Sequence, residues 1–247
     1  MGGQGSATAR VSGHWPRLGA VDVARTPGDA PAAEGERPAY AGGPPGLFIA
    51  FEGGDGAGKS TQVTLLATAL GRGGRDVLVT RQPGGTELGA QIRQLVLHGE
   101  HVSPRAEALL YAADKAHHVD TVIAPALAAG AVVVTDRYVD SSIAYQGAGR
   151  DLGADEIARL QDWAVAGVLP DLTIVLDVTP EVGRSRRGAV QDRLEAEGDD
   201  FHAAVREHFL HLARAAPQRY LVVDGARSPV EIHAEVVAWL SAAGALP

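Results

Sequence analysis

The sequence predicts an α/β fold, a parallel five-stranded sheet flanked by helices, and three observations carry that prediction. Short apolar, β-branched runs alternate with longer helical patterns from Leu47 onward, the alternation that produces a parallel sheet covered on both faces. The first run leads straight into a glycine-rich turn and then into a helical pattern. The chemically suggestive clusters each follow an expected strand or lie on a helix beside one. Right-handed crossovers place ligands at those carboxyl ends of the strands.

Taken in order, the first strand is Leu47–Glu52, and a helix follows over Ser60–Leu70 with Val63, Leu65, Leu66, Ala69 and Leu70 as its apolar positions. A second strand, Asp76–Thr80, precedes helical stretches at Glu87–Leu97 and Pro104–Ala129. The run Ala131–Thr135 is the third strand, followed by a helix over Ala154–Ala166. Leu172–Asp177 and the helix Asp199–Ala215 come next, then Tyr220–Asp224 and a final helix over Pro229–Ala243. One domain accounts for residues 47–247. Residues 1–46 are rich in Gly, Ala, Pro and polar residues without apolar periodicity, and are expected to be a disordered extension. A start codon assigned too far upstream would leave the same signature. Asp22, Asp29, Glu34 and Glu36 count against a transit peptide.

Composition narrows the chemistry. With 247 residues the chain can build a sizeable α/β core. A formal net charge of −8 argues against non-specific nucleic-acid binding, but not against nucleotides, whose few phosphates need only local positive charge. The absence of cysteine removes disulfides, thiolate catalysis and zinc–sulfur sites. No apolar run reaches the length of a bilayer span, so no membrane role and a reducing cytoplasmic setting are expected. There is also no asparagine, which rules out the Asn-Lys-x-Asp guanine-reading motif.

Residues 53–60, Gly53-Gly54-Asp55-Gly56-Ala57-Gly58-Lys59-Ser60, match the pattern G-x-x-x-x-G-K-[ST] between a strand and a helix. Glycines let the backbone wrap closely and aim successive N–H groups inward, at a helix N-terminus whose dipole adds positive charge. Lys59 brings a full charge to the outer phosphates, and the Ser60 hydroxyl is placed to ligate Mg²⁺. A glycine turn with a chance lysine could look alike, but the chain has two lysines, Lys59 and Lys115, against twenty arginines. The third strand runs into Asp136-Arg137-Tyr138. There a carboxylate can hold Mg²⁺ or its waters, and a guanidinium can clamp a phosphate. A surface ion pair would be the plainer reading, yet the preceding Ala-Val-Val-Val-Thr is buried-strand sequence.

These motifs together resemble the thymidylate kinases, and the resemblance covers essentially all of 47–247. Four blocks carry it: Phe51 to Gln62, Thr80-Arg81-Gln82-Pro83-Gly84-Gly85-Thr86, Leu110-Tyr111-Ala112-Ala113-Asp114-Lys115, and Asp136 to Gly147. The resemblance implies a P-loop NTPase fold of the nucleotide kinase type, and an enzyme that phosphorylates dTMP to dTDP with ATP and Mg²⁺. It further implies small-molecule partners only and a homodimer packed through long helices. It assigns Gly53, Gly54, Asp55, Gly56, Ala57, Gly58, Lys59, Ser60 and Thr61 to ATP, and Ser60, Asp55 and Asp136 to the metal. Asp55 also faces the acceptor, Arg137 holds its 5′-phosphate, and Arg81 and Arg93 border the same pocket. Tyr111 stands where a stacking phenylalanine is usual, with Lys115 one helical turn on, on the same face. Ser142, Tyr145 and Gln146 complete the acceptor side, with Ser142 and Gln146 at the base edge.

Two positions depart from the pattern. Gln82 replaces a customary Glu, and Lys115 replaces a common arginine, losing the planar fork. Residues 184–198 form a charged segment with Arg184, Arg186, Arg187 and Arg193. Such a run is often a solvated helix end. Beside a phosphate loop with no basic residue at its variable positions it reads as a lid supplying charge to the transferring phosphoryl, with Lys59, Arg137, Arg187 and Arg193 as catalytic candidates. Asp224-Gly225-Ala226-Arg227 is expected to border the adenine. A kinase for another deoxynucleotide or a nucleoside, or a phosphate-loop switch without phosphotransfer, are the alternatives. The base-contacting residues discriminate the first, and an acceptor-independent response the second.

Overall fold

The computed structural model describes residues 46–188 and 192–244; the expected N-terminal extension up to residue 45, and residues 189–191 of the expected lid, lie outside them. Five strands form one parallel sheet: β1 (Leu47–Glu52), β2 (Val77–Arg81), β3 (Val132–Asp136), β4 (Leu172–Asp177) and β5 (Tyr220–Asp224), in the order β2-β3-β1-β4-β5. Burial follows that order. Every residue of the central β1 is buried, whereas the edge strands β2 and β5 are mostly half-exposed. A strand covered on both faces must be apolar throughout, and Leu-Phe-Ile-Ala-Phe meets that demand.

Side-chain alternation along β1 divides the core. Leu47, Ile49 and Phe51 face α1 (Lys59–Arg72) and, further along, Val236 and Leu240 of the final helix. Phe48 and Ala50 face the opposite layer, with Val119, Ile123, Tyr138 and Val165. Helices leaving β1 and β3 therefore go to opposite faces, which opens a crevice between the carboxyl ends of these two strands. Register sets its level, because Phe51 pairs with Asp136, and Asp136 with Arg81. Glu52, Arg81 and Asp136 thus reach one rim of the sheet from three strands.

The remaining helices are α2 (Glu87–Arg93), α3 (Pro104–His118), α4 (Ala124–Ala128), α5 (Val139–Ser142), α6 (Ala154–Val165), α7 (Pro180–Arg186), α8 (Asp199–Ala215) and α9 (Pro229–Ala242). Two expected helices are interrupted. Residues 94–98 and 119–123 are π-helical turns, so the run from Pro104 to Ala129 is α3, a widened turn and α4. Pro125 has no N–H for an α ladder, and the turn before it is the widened one. The short helices α5 and α7, and the π-helical turn Ile143–Gly149, carry no periodic signal long enough to be read from sequence.

The central layer sets stability. Truncating Ile49, fully buried in β1, to alanine is expected to lower the unfolding free energy by about 2–5 kcal/mol in urea titration, with an unchanged denaturant slope.

Candidate nucleotide site

The loop after β1 needs its glycines. Gly53, Gly56 and Gly58 have φ of 127°, 79° and 97°, a region that L side chains avoid. A Cβ on Gly53 would lie 2.4 Å from Leu176 O, and one on Gly56 2.2 Å from Gly183 O. Lys59, the first residue of α1, is 7% exposed and donates to Gly53 O at 3.1 Å and Gly54 O at 2.8 Å. Burial, reinforced by the Arg137 charge, lowers its pKa to about 8. Ser60 donates to Asp136 Oδ2 at 2.6 Å. A hydroxyl and a carboxylate this close are hard oxygen donors of the kind Mg²⁺ takes, with water and phosphate completing its shell.

Asp55, the third expected metal ligand, does not join that pair. Its oxygens are taken by Arg137, in an ion pair, and by the Tyr145 hydroxyl at 2.8 Å. Burial would raise the Asp55 pKa, but Arg137 and Lys59 outweigh it and hold the carboxyl well below the usual range. Arg137 has a left-handed backbone, φ 69°, a conformation that a non-glycine residue keeps only when its surroundings enforce it. Its guanidinium donates to Gly53 O at 3.1 Å, Ser141 Oγ at 2.9 Å and Tyr145 Oη at 3.1 Å, and lies 5.0 Å from the Tyr145 ring centre.

Glu52 enforces that conformation, and the sequence reading gave it no role. Fully buried, it accepts from Tyr138 N at 2.8 Å, Ser141 N at 3.1 Å and Ser141 Oγ at 2.6 Å. Burial pushes its pKa up against the lowering effect of Arg137 and these bonds. A charge closing an otherwise apolar strand was the available signal. Asp140 lies in the same layer, bonded by Tyr220 Oη at 2.8 Å, and burial together with the Glu52 charge pushes it up to about 7.

On the other side of Arg137, Tyr111 and Lys115 do share a face of α3. Lys115 Nζ donates to Ser142 Oγ at 2.8 Å and sits 5.6 Å from the Tyr111 ring centre. Burial lowers the Lys115 pKa to about 8. Gln146 donates through Nε2 to the buried Glu107 at 2.9 Å. Arg93 braces the Arg81–Gly85 turn through Pro83 O at 3.1 Å. Gln82 donates to His118 Nδ1 at 3.0 Å, which leaves the Nε2–H of that ring for Thr80 Oγ1 at 2.8 Å. Burial, then the charge of Lys115, brings His118 down to about 4. One cavity of about 990 Å³ runs past the phosphate loop, Arg137 and the Tyr111–Lys115 pair.

The lid arginines are placed differently from expectation. Arg193 faces away from the cavity. It donates to Val96 O at 2.9 Å and Val102 O at 3.2 Å and pairs with Glu107, so its donors anchor the chain rather than meet a phosphate. The reason is that a fully buried carboxylate requires cations, and Arg193 and Arg150 supply them. Arg187 donates to Glu195 O at 2.8 Å and adjoins a small cavity of about 20 Å³ behind Gly54 and Asp55. Arg186 instead lines the main cavity, donating to Gly225 O at 2.7 Å and Ala226 O at 3.2 Å. Arg184 forms an exposed pair with Asp199.

Comparison with known proteins agrees with this geometry. The thymidylate kinase family model matches residues 51–236. The chain belongs to the thymidylate kinase family. The thymidylate kinase of Leifsonia xyli subsp. xyli (strain CTCB07) is 59% identical over 196 residues, 78% of this chain and 93% of that protein. That of Clavibacter michiganensis subsp. michiganensis (strain NCPPB 382) is 58% identical over 195 residues, 77% of this chain and 92% of its own. A crystal structure of thymidylate kinase from Ehrlichia chaffeensis is similar at a TM-score of 0.67 and 33% identity, over 80% of this chain and 99% of that one. The fold and the kind of enzyme read from the motifs therefore stand. Among the described residues no helix is long and apolar enough to cross a membrane.

The buried neutral His118 has a pH signature. Its folded pKa lies below the unfolded value, so between pH 6.5 and 4 the unfolded chain binds more protons and stability falls as pH falls. In His118→Gln the slope of unfolding free energy against pH over that window is expected to be shallower than in the wild type.

Proposed function

We propose that the cavity binds ATP at the phosphate loop and dTMP against Tyr111 and Lys115, and that the γ-phosphoryl passes between them to give ADP and dTDP. The observation that carries this reading is the continuity of one cavity from Lys59 to Lys115, with Arg137 between. The acceptor oxygen is already anionic, so no strong general base is needed; alignment and charge neutralisation are the catalytic task. Lys59 and the loop N–H groups hold the donor phosphates. Arg137, braced by Asp55 and Tyr145, aligns the acceptor phosphate. Mg²⁺, held through Ser60 and Asp136, neutralises phosphate charge when bound. Residues 184–198 act as the lid, with Arg186 on the donor side and Arg187 supplying charge to the transferring phosphoryl once closure excludes water. Arg81 and Arg93 shape the acceptor side, and Gly225 and Arg227 the adenine side.

A homodimer in a reducing cytoplasm belongs to the same proposal. Leu95 and Leu109, 53% and 59% exposed, leave apolar surface on the α2–α3 side for a partner copy. ADP release with ATP, Mg²⁺ and each of dTMP, dUMP, dCMP and dGMP tests the reading. Turnover with dTMP is expected, and equal turnover with every acceptor, or none, would exclude the base pocket or the kinase reading respectively.

Lys59→Ala and Arg137→Ala are each expected to lower kcat by about a thousandfold in that assay, since each removes a charge at the transferring or accepting phosphate. Near-wild-type turnover would remove the assigned roles.

Lys115 predicts a pH limb. It is cationic below about 8 and loses its charge above. The affinity for dTMP, measured by calorimetry without ATP so that Lys59 does not contribute, is expected to fall as pH rises from 7 through 9. Lys115→Arg should show no such fall, because a guanidinium stays charged.

A further inference from the structure

Gln146 lines the cavity with only one of its amide ends engaged. Its Nε2 donates to Glu107 Oε1 at 2.9 Å, and its Oε1 makes no hydrogen bond among the described residues. An amide could in principle present either end to a ligand. Glu107 removes the choice. It is fully buried, paired with Arg193 and in contact with Arg150 Nε at 3.5 Å. Facing two guanidinium groups it is a carboxylate, and a carboxylate only accepts. Gln146 must give it the NH₂ group and leave the carbonyl oxygen towards the cavity. Two helical turns along the same face of α3, Lys115 presents the opposite polarity, a donor on Ser142 Oγ at 2.8 Å.

We propose that Glu107 is a positioning residue for base specificity: by fixing the Gln146 amide it makes the pocket read acceptor-then-donor across the base edge. Thymine matches with its N3–H and O4. Cytosine presents an acceptor at N3 and an amino group at C4, so both contacts fail together. Uracil has the same edge as thymine and is not discriminated by this device. The inference rests on the dTMP-binding reading above and adds to it a residue that touches no part of the substrate. Sequence could not supply it, because Glu107 lies outside the shared motifs and meets Gln146 only through the packing of α3 against the π-helical turn 143–149.

The test compares kcat/KM for dTMP, dUMP and dCMP in wild type, Glu107→Gln and the double variant Glu107→Gln with Gln146→Glu. In the single variant two amides face each other, and Gln146 is free to turn its NH₂ to the base. The dTMP-to-dCMP ratio is expected to fall roughly ten- to a hundredfold, with the dTMP-to-dUMP ratio unchanged. In the double variant the pair is exchanged: the amide now on α3 donates to one oxygen of the carboxylate now on the π-helical turn. The second oxygen of that carboxylate restores the acceptor, and the dTMP-to-dCMP ratio is expected to recover. An unchanged ratio in the single variant, or a loss that the double variant does not recover, would overturn the role of Glu107. A residue that only supported packing would depress all three substrates alike. If Glu107→Gln does not fold, Gln146→Met leaves both arginines on Glu107 and removes the same acceptor; undiminished discrimination there overturns the proposal. Wild-type protein that turns over dCMP as readily as dTMP would instead remove the base reading itself.

Discussion

The site is organised around one half-buried cation. The Arg137 guanidinium ties the carboxyl end of β3 to the loop after β1, through Gly53 O, the Asp55 carboxylate and Tyr145 Oη. Burying a guanidinium costs several kcal/mol unless charges and acceptors surround it, and three elements supply them. Glu52 is the less obvious member. It never touches Arg137 directly, but its carboxylate gathers the Tyr138 and Ser141 amides and orients Ser141 Oγ towards itself. The left-handed backbone of Arg137 is thereby held with its side chain over the crevice rather than out in solvent.

Charge in the cavity is arranged in two tiers. Arg137, the two lysines and Asp55 line the cavity, while Glu52 and Asp140 lie outside its lining. The lysines show the tension in this arrangement: burial lowers both to about 8, and an anionic or carbonyl ligand would offset that desolvation by favouring the charged ammonium. The same logic accounts for the partners of Arg193. Glu107 is fully buried on α3, and Arg193 and Arg150 compensate its charge. Arg193 and Glu197 are anchored to Glu107 and Arg150, while Arg186 and Arg187 donate to the backbone carbonyls of Gly225, Ala226 and Glu195.

What could be read from the sequence alone was whatever local pattern dictates. Strand–helix alternation determined the parallel sheet, because strands buried on both faces must be continuously apolar, as Leu47–Phe51 and Val132–Val134 are. The glycines of residues 53–58 and the adjacent Lys59-Ser60 announced a phosphate cradle, since only such a backbone can wrap an anion. Asp136-Arg137 and the Tyr111–Lys115 spacing were equally legible, because strand ends and helical turns fix where neighbouring side chains point. Tertiary structure decided everything that depends on partners distant in the chain. Asp55, expected at the metal, is paired with Arg137, 82 residues away. Arg193, expected among the catalytic residues, is paired with Glu107, 86 residues away. Glu52 and Glu107 carried no motif because their work is done on backbone amides and other side chains. A carboxylate's role is set by which cations and donors the fold packs against it, and that is long-range information no short pattern contains.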